Sequence, residues 1–292
     1  MLIDRFHHCL TAPLSKTSKA QARFWFGMSL MVALIYGFLG LQQAFSGDYV
    51  VQDDARQHVF WMQRFLDPDL FPQDWIADYF QSVAPAGYRW VYQAAASLGV
   101  NPMVFNKLLP TVLALVTTGY GFGLCLKLFP IPAAGFTATL FLNQLLWSKD
   151  DLISATPRAF FYPLFLAFLY YLLRRSLWPC LIALGLQCLF YPQTALLSCA
   201  TLCVRLLGWT GKKLRFSRDR GDIQFAIAGL CLTVILLLPF ILTTSEFGPI
   251  ITLAEAQQMP EFSPNGRASF FLTTIPDIFG LSTNAAAFCP MS

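Results

Sequence analysis

The first apolar segment of the chain reads Phe24-Trp-Phe-Gly-Met-Ser-Leu-Met-Val-Ala-Leu-Ile-Tyr-Gly-Phe-Leu-Gly-Leu-Gln-Gln-Ala-Phe45. No acidic or basic side chain interrupts it, and a helix needs about 20 apolar residues to cross a bilayer. Only 12% of the chain is charged, whereas average soluble proteins carry about 25%. The segment therefore predicts a membrane-spanning helix, and the composition predicts that several more follow it.

Further segments without Asp, Glu, Lys or Arg lie at residues 108–126, 128–148, 176–204 and 223–245. The segment 159–173 is shorter, but residues 152–157 can extend it past Arg158. We therefore expect an all-α fold. It is a polytopic transmembrane helix bundle over residues 24–245, with about seven spans or partial spans.

Residues 176–204 form the least regular of these segments, because a continuous helix of that length measures about 43 Å, more than one span and barely two. Pro192, in Tyr191-Pro-Gln193, breaks a helix and disfavours helical geometry at the residue before it. We expect a hairpin with its tip at this break; the alternative is a single kinked, tilted helix. Tyr191 and Gln193 are candidates for lining a groove for a lipid chain or a sugar, although a plain hairpin explains them as well.

The charged residues are separated along the chain, and this separation predicts the orientation. The basic segments are residues 1–23, Arg174-Arg175 and 205–222, and the acidic connections are 46–101 and 148–157. Because Lys and Arg favour the cytoplasmic side, we expect a multi-pass integral membrane protein with a cytoplasmic N-terminus. The acidic connections and the tail 246–292 are then extracytoplasmic. The basic connection is expected to contact anionic lipid and no nucleic acid, because it contains few aromatic residues.

The first acidic connection contains Asp53-Asp54, a few residues after the first apolar segment. Either carboxylate can cap a helix that begins at Ala55, in which His58 shares a face with Asp54. Apolar residues then recur at helical spacing at Ala55, Val59, Met62 and Leu66. This pattern predicts an amphipathic helix that lies on the membrane surface.

A second surface helix is predicted over residues 85–98 of the same connection. It carries Tyr88, Trp90 and Tyr92, and such aromatic side chains are enriched where membrane meets water. Asn101-Pro102 ends this helix and opens the next span. The first acidic connection is therefore expected to contain two interfacial helices.

The second acidic connection holds another carboxylate pair, Asp150-Asp151, with Lys149 and Arg158 beside it. Carboxylate oxygens are ligands that Mg²⁺ and Mn²⁺ prefer, so this pair is a candidate divalent-cation site. Arg158, Lys149 and His58 are candidates for binding phosphate. Arg158 also lies just inside an apolar run, where an ionisable side chain indicates function. The alternative is that the acids of both pairs are helix caps and solvated loop residues.

The chain resembles the GT-C type glycosyltransferases, which are membrane enzymes that use polyprenyl-phosphate-linked sugars. Protein mannosyltransferases and oligosaccharyltransferases belong to this group. The shared plan is a cytoplasmic N-terminus, a long first outer loop with two surface helices, and acids in the first two outer loops. Asp53-Asp54 matches the first acidic position and Asp150-Asp151 the second. The resemblance covers roughly residues 20–245.

The resemblance implies an inverting sugar transfer from a polyprenyl-phosphate donor to an acceptor on the extracytoplasmic side. It implies that Asp53 or Asp54 is the catalytic base or orients the acceptor, that Asp150 or Asp151 binds metal or acceptor, and that Arg158 contacts phosphate. Family members usually have more spans and often a soluble C-terminal domain, so this sequence is expected to be a piece of a longer protein.

Two other classes of function compete with the transferase. A transporter or flippase for a lipid-linked or anionic substrate would use broken helices and acids as a binding site, and a non-catalytic membrane subunit would need no site. A transporter is expected to carry ionisable side chains near the middle of its spans, whereas the acids here cluster at one rim. The pattern therefore favours chemistry at the membrane surface.

Overall fold

The computed structural model describes residues 10–47, 49–210, 213–217, 219–242 and 251–262. The chain divides into two units, residues 1–243 and 244–292. Residues 1–9 of the predicted cytoplasmic segment and most of the predicted tail lie outside the described residues.

The first unit is mainly helical, which confirms the predicted fold class in its main point. Its helices are α1 (Lys19–Ala44), α2 (Asp53–His58), α3 (Trp75–Val83), α4 (Ala86–Ser97), α5 (Pro102–Leu128), α6 (Pro132–Trp147), α7 (Asp150–Ile153), α8 (Phe161–Leu173), α9 (Leu177–Phe190), α10 (Pro192–Arg205) and α11 (Arg220–Leu242). Short 3-10 helices lie at Leu14–Lys16, Phe60–Phe65 and Pro157–Phe160. The basic connection forms an antiparallel hairpin of β1 (Leu207–Thr210) and β2 (Lys213–Phe216), where the sequence predicted no strand.

Three helices among the described residues are long and apolar enough to cross a membrane: α1, α5 and the Arg220–Pro239 part of α11. The segment Pro157–Leu173 and helix α9 are apolar but shorter. Helix α6, with 16 residues, is also shorter than the roughly 20 residues that a span needs. The three long helices give the chain the character of a membrane protein.

The helices of the bundle bring their connections together at two ends. Helices α1 and α5 run antiparallel, since Gly37 lies against Thr111 and Phe26 lies against Phe122. We call the end that carries the connections after α1 and after α6 the acidic end. The opposite end, with the connections after α8 and after α10, is the basic end.

The break at Tyr191 folds α9 and α10 into a hairpin, as the sequence predicted. Ser198 Oγ donates to Gln187 Oε1 at 2.6 Å, although a straight helix would separate these two residues by about 16 Å. Gln187 is fully buried, and its Nε2 also donates to the carbonyl of Leu164 in α8 at 3.2 Å. The tip reaches the acidic end, where the Phe190 and Phe160 ring centroids lie 4.4 Å apart.

The connection after α1 folds into a layer that shares one core with α5, α6 and the connection after α6. Gln52, rather than Asp53 or Asp54, caps α2, because its Oε1 accepts a hydrogen bond from the backbone N–H of Ala55 at 3.1 Å. The two aspartates occupy the first turn, where carboxylates stabilise a helix through its dipole. Ala55, Val59 and Met62 are fully buried in this core. Their apolar face therefore packs inside the protein, which corrects the prediction of a membrane-surface helix.

The second predicted surface helix is present as α4, but its aromatic residues divide between two faces. Tyr88 and Tyr92 have no exposed surface, whereas Trp90 is 58% exposed. The assignment of Tyr88 and Tyr92 to the membrane interface was therefore wrong. The sequence reading also missed α3, which Asp74 caps by accepting hydrogen bonds from the backbone N–H groups of Ile76 and Ala77.

Arg64 organises the turn between the first 3-10 helix of this layer and α3. Its guanidinium donates to the carbonyls of Leu70 and Phe71 and to the side chains of Asp78 and Gln81. Phe71 has a φ of 58°, in the left-handed region that disfavours residues other than glycine. Arg64 therefore stabilises a turn whose backbone alone is unfavourable.

Replacing Arg64 with methionine is expected to lower the free energy of unfolding by about 2 kcal/mol, because hydrogen bonds from a charged donor are lost and two carbonyls lose their donor. Thermal unfolding of the purified protein in detergent measures this change. The matched control is Arg56→Met, since Arg56 is exposed and makes a single hydrogen bond of 3.5 Å. Equal midpoints for the two variants would contradict the role given to Arg64.

Two arginines at the basic end form ion pairs with aspartates. Arg205 donates to Asp222 at 2.8 Å and to the carbonyl of Leu172 at 2.9 Å. Arg175 donates to Asp219 at 2.8 Å and to Asp222 at 3.2 Å. These contacts connect the ends of α8 and α10 to the start of α11. The contact of the basic connection with anionic lipid stays a prediction.

The described part of the second unit is short. It contains α12 (Leu253–Ala256) and a 3-10 turn at Pro260–Phe262. Thr252 and Glu255 form a reciprocal capping box at the start of α12, an arrangement that satisfies backbone N–H groups at a helix start.

Candidate functional site

A buried polar network holds the two acidic connections together at the acidic end. Asn106 of α5 donates from its Nδ2 to Tyr92 Oη at 3.0 Å and to the carbonyl of Ser154 at 2.8 Å. Tyr92 Oη in turn donates to the carbonyl of Ala155 at 3.1 Å. Burial raises the pKa of Tyr92 above its ordinary value, so the hydroxyl stays protonated as this donor. The network fixes the connection that carries Asp150 and Asp151.

The predicted carboxylate pair in this connection separates into two environments. Asp151 forms an ion pair with Arg158, with 3.0 Å between Oδ1 and Nε. Asp150 is exposed and lines a cavity. The candidate phosphate-binding arginine and one candidate metal ligand thus contact each other, and Asp150 is the member of the pair that faces open space.

The cavity lies at the acidic end between α1, α5, α6 and α7, and its volume is about 570 Å³. We call it the acidic-end cavity. Its apolar or aromatic lining residues include Tyr36, Leu39, Pro110 and Trp147, of which Trp147 ends α6. Its polar lining residues include Gln43, Gln52, Lys107, Gln144 and Asp150. The cavity therefore joins an apolar pocket among membrane helices to a polar opening beside the acidic connections.

The first carboxylate pair lies beside this cavity without lining it. Gln52 lines the cavity, and Asp53 and Asp54 follow it directly as exposed residues. Gln52 and Asp150 thus line the same cavity, and the two aspartate pairs lie at the same end of the bundle. Asp53 and Asp54 are connected to the cavity through Gln52, which caps their helix and lines the cavity.

The other predicted binding residues lie outside the lining of the acidic-end cavity. Lys149 is exposed. His58 is half-buried, and its ring packs edge-on against Phe80 with 5.0 Å between ring centroids. Burial lowers the pKa of His58, and the charge of Asp54 partly offsets that effect. His58 is thus held more readily as a neutral ring than as a cation, which weakens its case as a phosphate ligand.

The two residues proposed for a lipid groove flank the tip of the α9–α10 hairpin. Tyr191 is half-buried and Gln193 is exposed. Neither lines the acidic-end cavity, although the tip lies at the same end of the bundle. Their groove role stays a prediction, and the hairpin geometry itself accounts for their positions.

Lys107 is the residue of this site that the sequence reading missed. It lies one residue before the charge-free segment 108–126, is half-buried in α5 and lines the cavity. Its Nζ lies 4.8 Å from the centroid of the Phe45 ring. In the described part of the chain, no carboxylate forms an ion pair with Lys107. The sequence did contain a signal for this residue: a lysine at the edge of a predicted span, at the same end as the acids, is a candidate site residue.

Asp150 and Asp151 are the predicted ligands of a divalent cation. Among the described residues, no group of three His, Cys, Asp or Glu side chains could hold a metal ion. Asp151 is committed to Arg158, which leaves Asp150 as the carboxylate of that pair in the cavity. The predicted Mg²⁺ or Mn²⁺ stays a prediction.

Comparison of the chain with protein-family models, with curated proteins and with solved structures finds no match.

Proposed function

We propose that the protein is a membrane glycosyltransferase that moves a sugar from a polyprenyl-phosphate donor to an acceptor hydroxyl at the acidic end. One observation carries the proposal: a cavity that opens beside the acidic connections contains a carboxylate, Asp150, and continues between apolar helices. A substrate with a polar head and an apolar chain matches such a cavity. A soluble sugar nucleotide would have no use for the apolar depth.

The chemistry needs a base for the acceptor. Asp150 takes the proton of the acceptor hydroxyl as that oxygen forms its bond to the anomeric carbon. The bond from the anomeric carbon to the phosphate oxygen breaks on the opposite face, its electron pair stays on the phosphate, and the configuration inverts. Asp53 and Asp54, next to Gln52, are the alternative bases.

The proposal extends to the membrane arrangement. Helices α6, α8, α9 and α10 serve as partial spans beside α1, α5 and α11, which gives about seven, and the acidic end faces the extracytoplasmic side. Labelling of a cysteine at Asp69, in a background without other cysteines, from outside intact cells tests this sidedness. No labelling there would contradict it.

The transporter alternative receives less support from the same helices. A transporter binds its substrate near the bilayer midplane, where ionisable side chains mark the pathway. Residues 24–44, 108–126 and 223–239 carry no Asp, Glu, Lys or Arg, and the carboxylates lie at the ends of the bundle. This distribution favours chemistry at the rim over movement of a charged substrate through the bundle.

A transfer assay with a radiolabelled polyprenyl-phosphate sugar tests the function. Asp150→Asn is expected to reduce the rate at least about a hundredfold, because general-base catalysis contributes that much or more. Asp53→Asn and Asp54→Asn are compared in parallel, and Asp69→Asn, an exposed acid of the same layer, is the control. If all three test variants transferred sugar as fast as the control, none of Asp53, Asp54 and Asp150 would be the base. A wild-type protein without transfer would leave a transporter or a non-catalytic subunit.

A further inference from the structure

The acidic-end cavity carries a basic side chain as well as its carboxylate. Lys107 is half-buried, has no ion-pair partner among the described residues, and lies in the same lining as Asp150. An ammonium group binds phosphate as a compact point charge. Its Nζ lies over the face of the Phe45 ring, 4.8 Å from the ring centroid, a contact that leaves its hydrogen-bond donors available.

Two residues of the cavity wall carry donors that do not face the open space. Thr111 Oγ1 and Trp147 Nε1 have no hydrogen-bond partner among the described residues, and both residues line the cavity. Both atoms are shielded from solvent, however, so neither reaches a ligand in the cavity. Lys107 is therefore the cationic donor that an entering phosphate would meet.

The charge of the lining limits which anion fits. Among the described lining residues, Lys107 is the basic side chain and Asp150 the acidic one, so the lining is close to neutral overall. A phosphodiester, with a single negative charge, can be compensated by Lys107 while it stands near Asp150. A diphosphate brings further negative charge that Asp150 repels and that no second cation of the lining neutralises.

The depth of the cavity accommodates the start of an apolar chain. On α1 the lining extends from Ala44 at the helix end back to Tyr36, a distance of about 12 Å along the helix. Leu39 and Pro110 lie along this stretch. A ligand with its head at Lys107 can therefore run its chain toward the interior of the bundle.

From these observations we infer that Lys107 binds the phosphate of the lipid donor and that the cavity selects a monophosphate-linked over a diphosphate-linked carrier. This inference rests on the proposed function, because it names the donor class of that same cavity. It is a statement about binding, however, and binding can be measured without turnover.

The experiment measures binding of three probes of equal chain length to the purified protein in detergent: a polyprenyl methyl phosphodiester, a polyprenyl diphosphate and the free polyprenol. The wild-type protein is expected to bind the diester at least about tenfold more tightly than either other probe. Lys107→Met should weaken diester binding by about tenfold to a hundredfold, the effect of losing a charge-assisted hydrogen bond. Lys107→Arg should retain most of the affinity.

Lys127→Met is the matched control, because Lys127 is an exposed lysine at the other end of the same helix. It should bind all probes as the wild type does, and Asp150→Asn should improve binding of the diphosphate. Unchanged diester affinity in Lys107→Met, equal affinity of the wild type for diester and diphosphate, or no binding of the diester would each overturn the inference. Selective binding through Lys107 without sugar transfer would uphold it and refute the transferase.

Discussion

Replacing Gly87 with leucine is expected to lower the free energy of unfolding by more than about 3 kcal/mol, because the side chain would enter occupied space. Gly87 lies on α4 where the tip of the α9–α10 hairpin packs against it. A Cβ atom at this position would lie 2.8 Å from the Phe190 ring and 3.0 Å from Leu189 Cβ. The second of these atoms is attached to the backbone of α9, so it cannot rotate away.

Thermal unfolding in detergent, followed by circular dichroism, measures this effect. Gly119→Leu is the control, since a Cβ atom there meets nothing within 4 Å. A second test replaces Phe190 with alanine in the Gly87→Leu background, where removal of the ring should recover part of the lost stability. A Gly87→Leu protein that unfolds at the wild-type midpoint would show that α4 does not pack on the hairpin tip in this way.

The long helices were predictable because a span must be apolar over the whole thickness of the bilayer. A segment such as 24–45, without charges and long enough for the bilayer, has few alternatives to a helix. The hairpin break was predictable for a similar reason, since Pro192 cannot continue the hydrogen bonding of α9. Solvation by the bilayer decides the first feature, and the covalent ring of proline decides the second.

The acidic-end layer was less predictable, because helical spacing identifies an apolar face but not what covers it. Tyr88 and Tyr92 are four residues apart on α4 and share a buried face, whereas Trp90 lies between them and is exposed. The spacing separates the two faces correctly. Membrane and protein core are both apolar, however, so the sequence could not indicate which of them receives the tyrosines.

The candidate site was predicted in its location more than in its residues. The position of Asp150 after α6 follows from the sequence, and so does its presence at the same end as Asp53 and Asp54. The pairing of Asp151 with Arg158 depends on how the chain turns between α7 and the 3-10 helix at Pro157–Phe160. The inclusion of Lys107 in the cavity depends on how α5 packs against α1 and α6, and this packing joins residues far apart along the chain. No local sequence pattern indicates either contact.

The network around Asn106 shows how packing of this kind also sets the site. Asn106 is 3% exposed and lines the cavity, and its amide supplies two hydrogen bonds that cross between elements. One goes to the first acidic connection through Tyr92, and the other goes to the second through the Ser154 carbonyl. A single side chain of α5 thus sets the position of α7, which carries Asp150.

Replacing Asn106 with leucine, which is similar in size, is therefore expected to lower the free energy of unfolding by about 3 kcal/mol or more. The Ser154 carbonyl would remain buried without its donor and Tyr92 Oη would lose a partner, and each such loss is destabilising by about 1–3 kcal/mol. Tyr92→Phe should be milder, because it leaves the bond from Asn106 to Ser154 intact. The double variant should lose less than the sum of the two single losses, since the side chains share one hydrogen bond. Additive losses in thermal unfolding would show that the two connections are not coupled through this amide, and Asp150 would then owe its position to another contact.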